Sequence, residues 1–344
     1  MRENIQVAQP PNIPSIFDSF NKLNVLIIGD VMIDRYLSGK VERISPEAPV
    51  PVVHLENREN RLGGAANVAL NIKALGATPY LCSVIGEDRD ADLFLQLLPQ
   101  NNLSDKCILQ SAERPTTVKT RILAGSQQLL RMDEEMTHDL SEQESNNLIE
   151  CVRNILEEQE IHVILLQDYN KGVLSEEVIH AVIVEAIKRN IPTTVDPKFK
   201  NFWAYKDVTL FKPNLKEIRS QMATSVTTEL DSLKNTAHYI REKLNNHYTL
   251  ITLSEKGLFI DKNNESLMVG THPRQIADVS GAGDTVISVA SLGLALGLSI
   301  EEIAILSNLA GGQVCEKLGV VPVDKGQLQV EYERYKELAV GSRQ

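Results

Sequence analysis

Between residues 161 and 253 the hydrophobic pattern switches back and forth between two periods, and that rhythm restricts the fold more than any other feature. Ile161 to Gln167 is a short apolar run of the kind a buried strand requires, and Ser175 to Arg189 follows with helical spacing and Ser175 as N-cap. Ile191 to Val195 reads as a strand closed by Asp196-Pro197, and Val208 to Phe211 as one closed by Lys212-Pro213-Asn214. Thr228 to Leu244 is a helix and Tyr248 to Leu253 a strand. Strands alternating with helices pair in parallel and bury both sheet faces, so an α/β body with a mostly parallel sheet is expected. Leu23 to Gly29 (LNVLIIG) adds an early strand. After Gly63-Gly64 the residues Ala65, Val68, Ala69, Ile72 and Leu75 share one helical face, and Gly76 ends that helix.

Two stretches break the rhythm. Residues 36–60 carry prolines and short β-like pieces such as Val50 to Leu55, and Thr116 to Met132 is a second β-rich piece with Gly125-Ser126 as its turn. Both are compatible with loops over the sheet, but the expectation is that they pair as a small β-lid over one edge. Residues 1–20 are polar and Pro-containing, and are expected to be a loosely held arm before one domain spanning 21–340. A length of 344 residues allows two domains or one large α/β domain with a sizeable core, and 42% hydrophobic against 24% charged residues excludes disorder.

Charge and cysteine usage narrow the function class. With 35 basic against 46 acidic residues, the net charge of −11 argues against a nucleic-acid partner, which needs a basic face, yet permits a local basic pocket. The N-terminus lacks a signal-peptide pattern, and the longest apolar run, Val286 to Leu298, is shorter than the roughly 20 residues a membrane span needs. Cys82, Cys107, Cys151 and Cys315 lie far apart without a CxxC pair. Each is expected to fill a core in a reducing cytoplasm rather than to bind metal or form a bridge.

The residues 278–285 (DVSGAGDT) hold the strongest chemical signal. Small residues before an apolar helix leave the N–H groups of Gly281, Ala282 and Gly283 at a positive helix end, which suits a phosphate. Asp284 would repel that phosphate unless it accepts a proton from an attacking hydroxyl; the plainer reading is a Gly-rich turn with Asp284 as a capping acid. No GxxxxGK[ST] loop, GxGxxG turn, GxSxG elbow or zinc-type histidine spacing occurs. Asp34 lies beyond the first strand's C-terminal end, where α/β sheets bind ligands, with Gly63, Gly64 and Asn67 following. Asn214 and Glu217 form either a capping box or a site beside nucleotide phosphates and Mg²⁺. Arg35, Arg43, Lys119, Arg121, Arg131, Lys171 and Lys198 are candidate cations. Lys119 and Arg121 share strand parity and so project from one face, as an anionic substrate group would want.

These motifs together resemble the ribokinase-like (pfkB) sugar kinases: 278–284 resembles their C-terminal signature, with Val279 in place of the usual Thr, and 63–67 their N-terminal one. The similarity is greatest to the D-glycero-D-manno-heptose 7-phosphate kinases, which occur alone or as the kinase half of ADP-heptose synthases. The strings carrying it are GDVMIDRY (29–36), RISPEAPVPVV (43–53), GGAANVALNI (63–72), KTR (119–121), QQLLRMDEE (127–135), DYNKGVL (168–174), VDPK (195–198), KPNLKE (212–217) and DVSGAGDTV (278–286).

The resemblance implies a ribokinase-like three-layer α/β sandwich with a β-lid. It implies ATP, Mg²⁺ and, in some members, a monovalent cation, and transfer of the γ-phosphate to the anomeric C1 hydroxyl in ADP-heptose supply for lipopolysaccharide. Carried over by position, Asp284 is the catalytic base and Gly281, Ala282 and Gly283 the anion hole. Lys212, Asn214, Glu217, Thr252, Ser254, Gly257 and Asn308 attend the nucleotide, Asn214 and Glu217 also holding Mg²⁺ through water. Asp34, Gly63, Gly64, Asn67, Asp168, Asp196 and Lys198 lie at the sugar. Lys119, Arg121 and Lys171, with Arg35 or Arg43, are expected to hold a 7-phosphate, because a doubly anionic substrate of an acidic protein needs local cations. A homodimer through the lid is expected by analogy. Bifunctional members carry a nucleotidyltransferase domain with an HxGH motif; none is found here, so another protein is expected to supply that step. Other sugar or sugar-phosphate kinases and a non-catalytic binding protein on the same fold are the competing readings.

Overall fold

Val25 to Ile28 have no exposed surface, and their side chains divide between two hydrophobic cores: Val25 and Ile27 enter one, Leu26 and Ile28 the other. A strand buried on both faces is the signature of a parallel sheet between helical layers. The computed structural model describes residues 13–341 apart from 126, 224, 264, 272 and 273. In chain order its elements are α1 (Ile13–Phe20), β1 (Asn24–Gly29), β2 (Val31–Ile44), β3 (Pro51–Gly64), α2 (Ala65–Ala74), β4 (Thr78–Gly86), α3 (Arg89–Gln100) and β5 (Cys107–Ser111). Next come β6 (Val118–Ala124), β7 (Gln127–Glu134), α4 (Glu142–Glu158), β8 (Val163–Gln167), α5 (Glu176–Arg189), β9 (Thr193–Asp196), β10 (Leu210–Phe211), α6 (Leu215–Gln221) and α7 (Leu230–Leu244). The chain closes with β11 (Tyr248–Thr252), β12 (Leu258–Lys262), β13 (Glu265–Val269), α8 (Ala282–Ala295), α9 (Ile300–Cys315) and α10 (Lys325–Gly341).

The nine-stranded sheet runs β13-β12-β11-β10-β9-β8-β1-β4-β5. It is parallel from β11 to β5, with β12 and β13 antiparallel at one edge. From β1 the chain first adds strands on one side and then, from β8, on the other. A topological switch point therefore opens beyond the C-terminal ends of β1 and β8.

The lid is a separate four-stranded sheet, β3-β2-β6-β7. It joins residues from both β-rich pieces through the parallel β2–β6 pair. Its strands are longer than the short pieces read in the sequence, because β2 leaves β1 directly at Val31. Arg61 Nη1 of β3 donates to the Val320 carbonyl at 3.1 Å, and Val320 N donates to the Tyr36 hydroxyl at 3.3 Å, so the lid rests on the loop before α10.

Two expectations are corrected. The arm is not loose over 13–20: these residues form α1, and Ile16, Phe17 and Phe20 are buried, with Phe17 against Tyr332 of α10 at 6.5 Å between ring centroids. Residues 1–12 lie outside the described part. The four cysteines do not all stand alone either. Cys107 of β5 and Cys151 of α4 form a disulfide with Cα atoms 6.0 Å apart, so cysteine usage no longer argues for a reducing compartment. Among the described residues no helix is long and apolar enough to cross a membrane.

Candidate active site

Two buried carboxylates at the switch point shape the loop after β8. Asp30 accepts the backbone N–H groups of Tyr169 (2.7 Å), Lys171 (3.1 Å) and Val173 (3.0 Å). Burial pushes its carboxyl up, and those three hydrogen bonds pull it partly back. Asp168 accepts from the Tyr205 hydroxyl at 2.8 Å and from Asn170 N at 2.7 Å. Burial and the neighbouring Asp30 push Asp168 up to about 7. Expected at the sugar, Asp168 is instead turned into the framework. Its role in the geometry is to pin the loop that carries Tyr169.

Asp284 sits in the first turn of α8, 3% exposed, as the meeting point of three elements. Its Oδ2 accepts from Asn67 Nδ2 of α2 at 2.7 Å. Its Oδ1 accepts from Tyr169 OH at 2.6 Å and from Gln167 Nε2 at 3.1 Å. Burial pushes the carboxyl up to about 6. The Asn67 and Tyr169 hydrogen bonds restrain that rise, Asp196 adds to it and Lys212 opposes it. Asn71 ties the frame together, accepting from Thr285 Oγ1 at 3.0 Å and from Val323 N at 3.0 Å.

The helix N-terminus beside Asp284 has the form of an anion site. Gly281 takes φ +80° and caps α8 without a side-chain hydrogen bond. The expected trio of free amides is corrected at one member: Ala282 N donates to the Val279 carbonyl at 3.3 Å, which leaves Gly281 and Gly283 for a ligand. A Cβ on Gly283 would stand 3.7 Å from both Asp196 Oδ2 and Lys212 Nζ, so a buried cation faces the helix end. Lys212 Nζ pairs with Asp196 Oδ2 at 3.0 Å.

The lid supplies the opposite wall. Register places Asp34 beside Lys119 and Tyr36 beside Arg121 on adjacent strands, so all four project from one face. Arg121 is ion-paired with Asp34, and Lys119 Nζ lies 5.2 Å from the centre of the Tyr169 ring. Burial and nearby Lys171 hold the Lys119 ammonium below its usual range against the pull of Asp34. Lys171 Nζ pairs with Glu135 at 2.7 Å. Arg35 is corrected: adjacent residues on a strand face opposite ways, and Arg35 turns from the site to pair with Asp90 of α3 and to donate to Asn60 Oδ1 at 2.9 Å. The geometry also explains Gly63, because a Cβ there would come within 2.2 Å of Asp34 Oδ2. Gly64 takes φ +62° to open α2.

A second rim runs from α6 to α9. Asn214 and Glu217 form a complete capping box, with Glu217 N donating to Asn214 Oδ1 and Asn214 N to Glu217 Oε2, each at 2.8 Å. Glu217 Oε1 pairs with Lys198, so both carboxylate oxygens are engaged. Burial pulls the Lys198 ammonium down, but the Asp196, Glu217 and Asp284 carboxylates outweigh it and hold the group above its usual range. Thr252 bridges to Asn214, and Leu253 N bonds the Gly257 carbonyl at 2.8 Å. Ser254 and Gly257 both take positive φ, and Asn308 Nδ2 donates to the Gly270 carbonyl at 2.8 Å. No group of three or more His, Cys, Asp or Glu side chains among the described residues is arranged to hold a metal on its own.

Sequence reasoning missed Gln167 and Tyr169 as individual residues. Tyr169 lay inside the string at 168–174, and Gln167 is the one polar residue of an otherwise apolar strand (VILLQ), a signal that a polar atom is needed at its end.

Comparison with known proteins bears on the same residues. The sequence model of the pfkB family carbohydrate kinases matches residues 22–325. "Bifunctional protein HldE" of Magnetococcus marinus is 41% identical over 314 residues, covering 90% of this chain and 64% of that protein. Its namesake in Methylobacillus flagellatus is 40% identical, covering 92% and 64%. The chain thus spans just under two thirds of the length of these curated relatives. Among solved structures, Escherichia coli phosphofructokinase-2 in complex with potassium superposes with a TM-score of 0.76 at 20% identity, over 91% of this chain and 98% of that one. Arabidopsis thaliana ribokinase complexed with ribose and ATP gives 0.68 at 18%, over 89% and 98%. At such identities the likeness is one of fold, and it is the ribokinase-like fold.

Proposed function

The chain belongs to the pfkB family of carbohydrate kinases, and we propose that its acceptor is D-glycero-D-manno-heptose 7-phosphate, phosphorylated from ATP at the anomeric C1 hydroxyl to give the 1,7-bisphosphate. The observation that carries this reading is the set of three cations, Lys119, Arg121 and Lys171, gathered where the lid faces the loop after β8. Arg121 is paired with Asp34 and Lys171 with Glu135, and Lys119 has no carboxylate within ion-pair distance among the described residues, so a terminal phosphate would meet Lys119 and share the other two. The heptose strings at 43–53 and 168–174 point the same way, and the relatives' shared name, bifunctional, suits a kinase half.

In this reading Asp34 and Asn67 hold sugar hydroxyls, and Asp284 takes the proton of the hydroxyl that attacks. The γ-phosphoryl group lies over the Gly281 and Gly283 amides with Lys212 beside it, where the charge that develops is met by fixed donors. The O–P bond to the sugar forms as the bond to the ADP oxygen breaks. The lid excludes water, so transfer to sugar is favoured over hydrolysis. Thr252, Ser254, Gly257 and Asn308 belong to the nucleotide side, and Lys198, expected at the sugar, pairs with Glu217 of that rim. Mg²⁺, when bound, supplies charge neutralisation at the phosphate oxygens. Because both oxygens of Glu217 are already engaged, Asn214 and Glu217 would hold its waters rather than the ion itself. The exposed Val41, Ile44, Leu55, Leu130 and Met132 of the lid support a homodimer through that sheet. A cytoplasmic site of action goes with ATP as donor.

Arg121→Ala tests the phosphate subsite. Loss of a charge-assisted pair is expected to raise KM for the heptose phosphate by about 10- to 100-fold. The same variant disturbs Asp34, so unphosphorylated heptose is the control: its KM should move much less. Equal shifts for the two sugars would refute the 7-phosphate assignment. Gly63→Ala is expected to raise KM for both sugars together, by about tenfold or more, with KM for ATP unchanged, because the new methyl displaces the Asp34 carboxylate. Steady-state kinetics on the two sugars and on ATP separate these outcomes.

A further inference from the structure

We propose that Tyr169 and Gln167 are positioning residues that occupy Asp284 Oδ1 and so leave Oδ2 as the oxygen that receives the acceptor proton. This rests on the reading of Asp284 as the base.

A carboxylate oxygen has two lone pairs in the plane of the group. On Oδ1 both are used, by the Tyr169 hydroxyl at 2.6 Å and the Gln167 amide at 3.1 Å. Oδ2 accepts Asn67 Nδ2 at 2.7 Å, so one lone pair stays open. The Asn67 nitrogen bound to Oδ2 is itself 3.0 Å from where a Cβ on Gly281 would stand, which sets Oδ2 near the helix N-terminus. An acceptor hydroxyl needs an open lone pair on the base, and of the two oxygens only Oδ2 keeps one.

Neither positioning residue is free to turn away. Tyr169 is held by its own backbone N–H on Asp30, and Lys119 and Lys198 stand over its ring at 5.2 and 5.5 Å. Gln167 Nε2 also donates to Asp196 Oδ2 at 3.2 Å, so its amide spans two carboxylates. The charged and titratable groups facing Asp284 are Tyr169 from the loop after β8, Asp196 and Lys198 from the end of β9 and beyond, and Lys212 after β10. Burial keeps the Tyr169 phenol protonated well beyond neutral pH, so it donates throughout the working range. The proton leaves the sugar hydroxyl for Oδ2 as the O–P bond forms, and Tyr169 keeps its own.

The test is the pH profile of kcat for Tyr169→Phe and for Gln167→Met, beside wild type and Asp284→Asn. The substrate is heptose 7-phosphate or, if another sugar of an acceptor panel proves to be the substrate, that one. Each variant removes a donor that favours the charged carboxylate. The acid limb should therefore move up by about one pH unit, with KM for sugar and ATP within about twofold of wild type. An acid limb that stays in place in both variants overturns the inference, and a tenfold rise in sugar KM with it would make Tyr169 a substrate contact. Loss of turnover at every pH in Tyr169→Phe, matching Asp284→Asn, would also overturn it, since the phenol would then carry the proton. Wild-type turnover by Asp284→Asn would overturn the base reading and this inference together, whereas an inactive Asp284→Asn with unmoved limbs removes this inference alone.

Discussion

Asp284→Asn is expected to cost about 10³-fold in kcat while leaving ATP binding intact, and to make the protein more stable at pH 8. The first effect follows from its proposed role. General-base catalysis contributes roughly 10²- to 10⁴-fold, and Asn keeps the shape but cannot take the proton. The second follows from burial. The carboxyl is pushed up to about 6 from 3.8 in the free side chain. The native state therefore binds this proton more tightly than the unfolded chain does. The sign is then fixed: stability from this group is greatest below about 4 and falls as pH rises through about 6. Asn carries no charge, so its advantage over wild type should be full above pH 6 and vanish below pH 4. After allowing for the contact its amide makes with Asn67 Nδ2, the gain is about 1–2 kcal/mol. Thermal unfolding at pH 4 and pH 8 reads it directly. Equal differences in Tm at the two pH values would contradict the burial argument, and unchanged kcat would contradict the base.

Asp30→Ala is expected to be the most destabilising single change near the site. It would leave three buried amides, those of Tyr169, Lys171 and Val173, without an acceptor. Each orphaned group costs about 1–3 kcal/mol, so the sum is roughly 3–5 kcal/mol after partial relaxation. That is a large part of the roughly 5–15 kcal/mol that holds a domain folded. The loop cannot relax easily: Asn170 and Gly172 both take positive φ, and a Cβ on Gly172 would meet the His138 carbonyl at 1.8 Å. Tm should fall by roughly 4–7 °C. Residual activity should fall further than stability alone explains, because Tyr169 loses its anchor. Asp139→Ala, which removes only an exposed pair with Lys200, serves as the control and should shift Tm by less than about 1 °C. A Tm for Asp30→Ala equal to that control would refute the anchoring role.

What could be read from the residues alone depended on how local the cause was. β8 (VILLQ) and β11 (YTLIT) are short, largely apolar runs, and β9 (TTVD) is β-branched before its closing Asp196-Pro197, so these strands need no partner to be seen. The lid was legible as two β-rich pieces, but the full 14-residue length of β2 and β3 was not, because Lys40, Glu42, Arg43, Glu56 and Arg58 break any apolar run and the parallel pairing with β6 joins residues far apart in sequence. The helix at 13–20 was hidden by Pro14 and by the Pro10-Pro11 pair before it, although Ile16, Phe17 and Phe20 have the spacing of a buried stripe. The disulfide joins positions 44 apart, and spacing alone does not assign such a pair. At the site, motif chemistry found Asp284, Asn67 and the lid cations. It could not find Gln167, which is neither charged nor in a motif and meets Asp284 across 117 residues. Arg35 was a different kind of error, because strand alternation next to Asp34 already places it on the wrong face.

The most direct test of the heptose kinase reading is ³¹P NMR of a reaction containing Mg²⁺-ATP and D-glycero-D-manno-heptose 7-phosphate. The expected spectrum shows one new phosphate on the anomeric carbon, ADP formed in equal amount, and neither with Asp284→Asn. Phosphate appearing at another position, or no transfer to the heptose phosphate while fructose 6-phosphate or ribose is turned over, would contradict it.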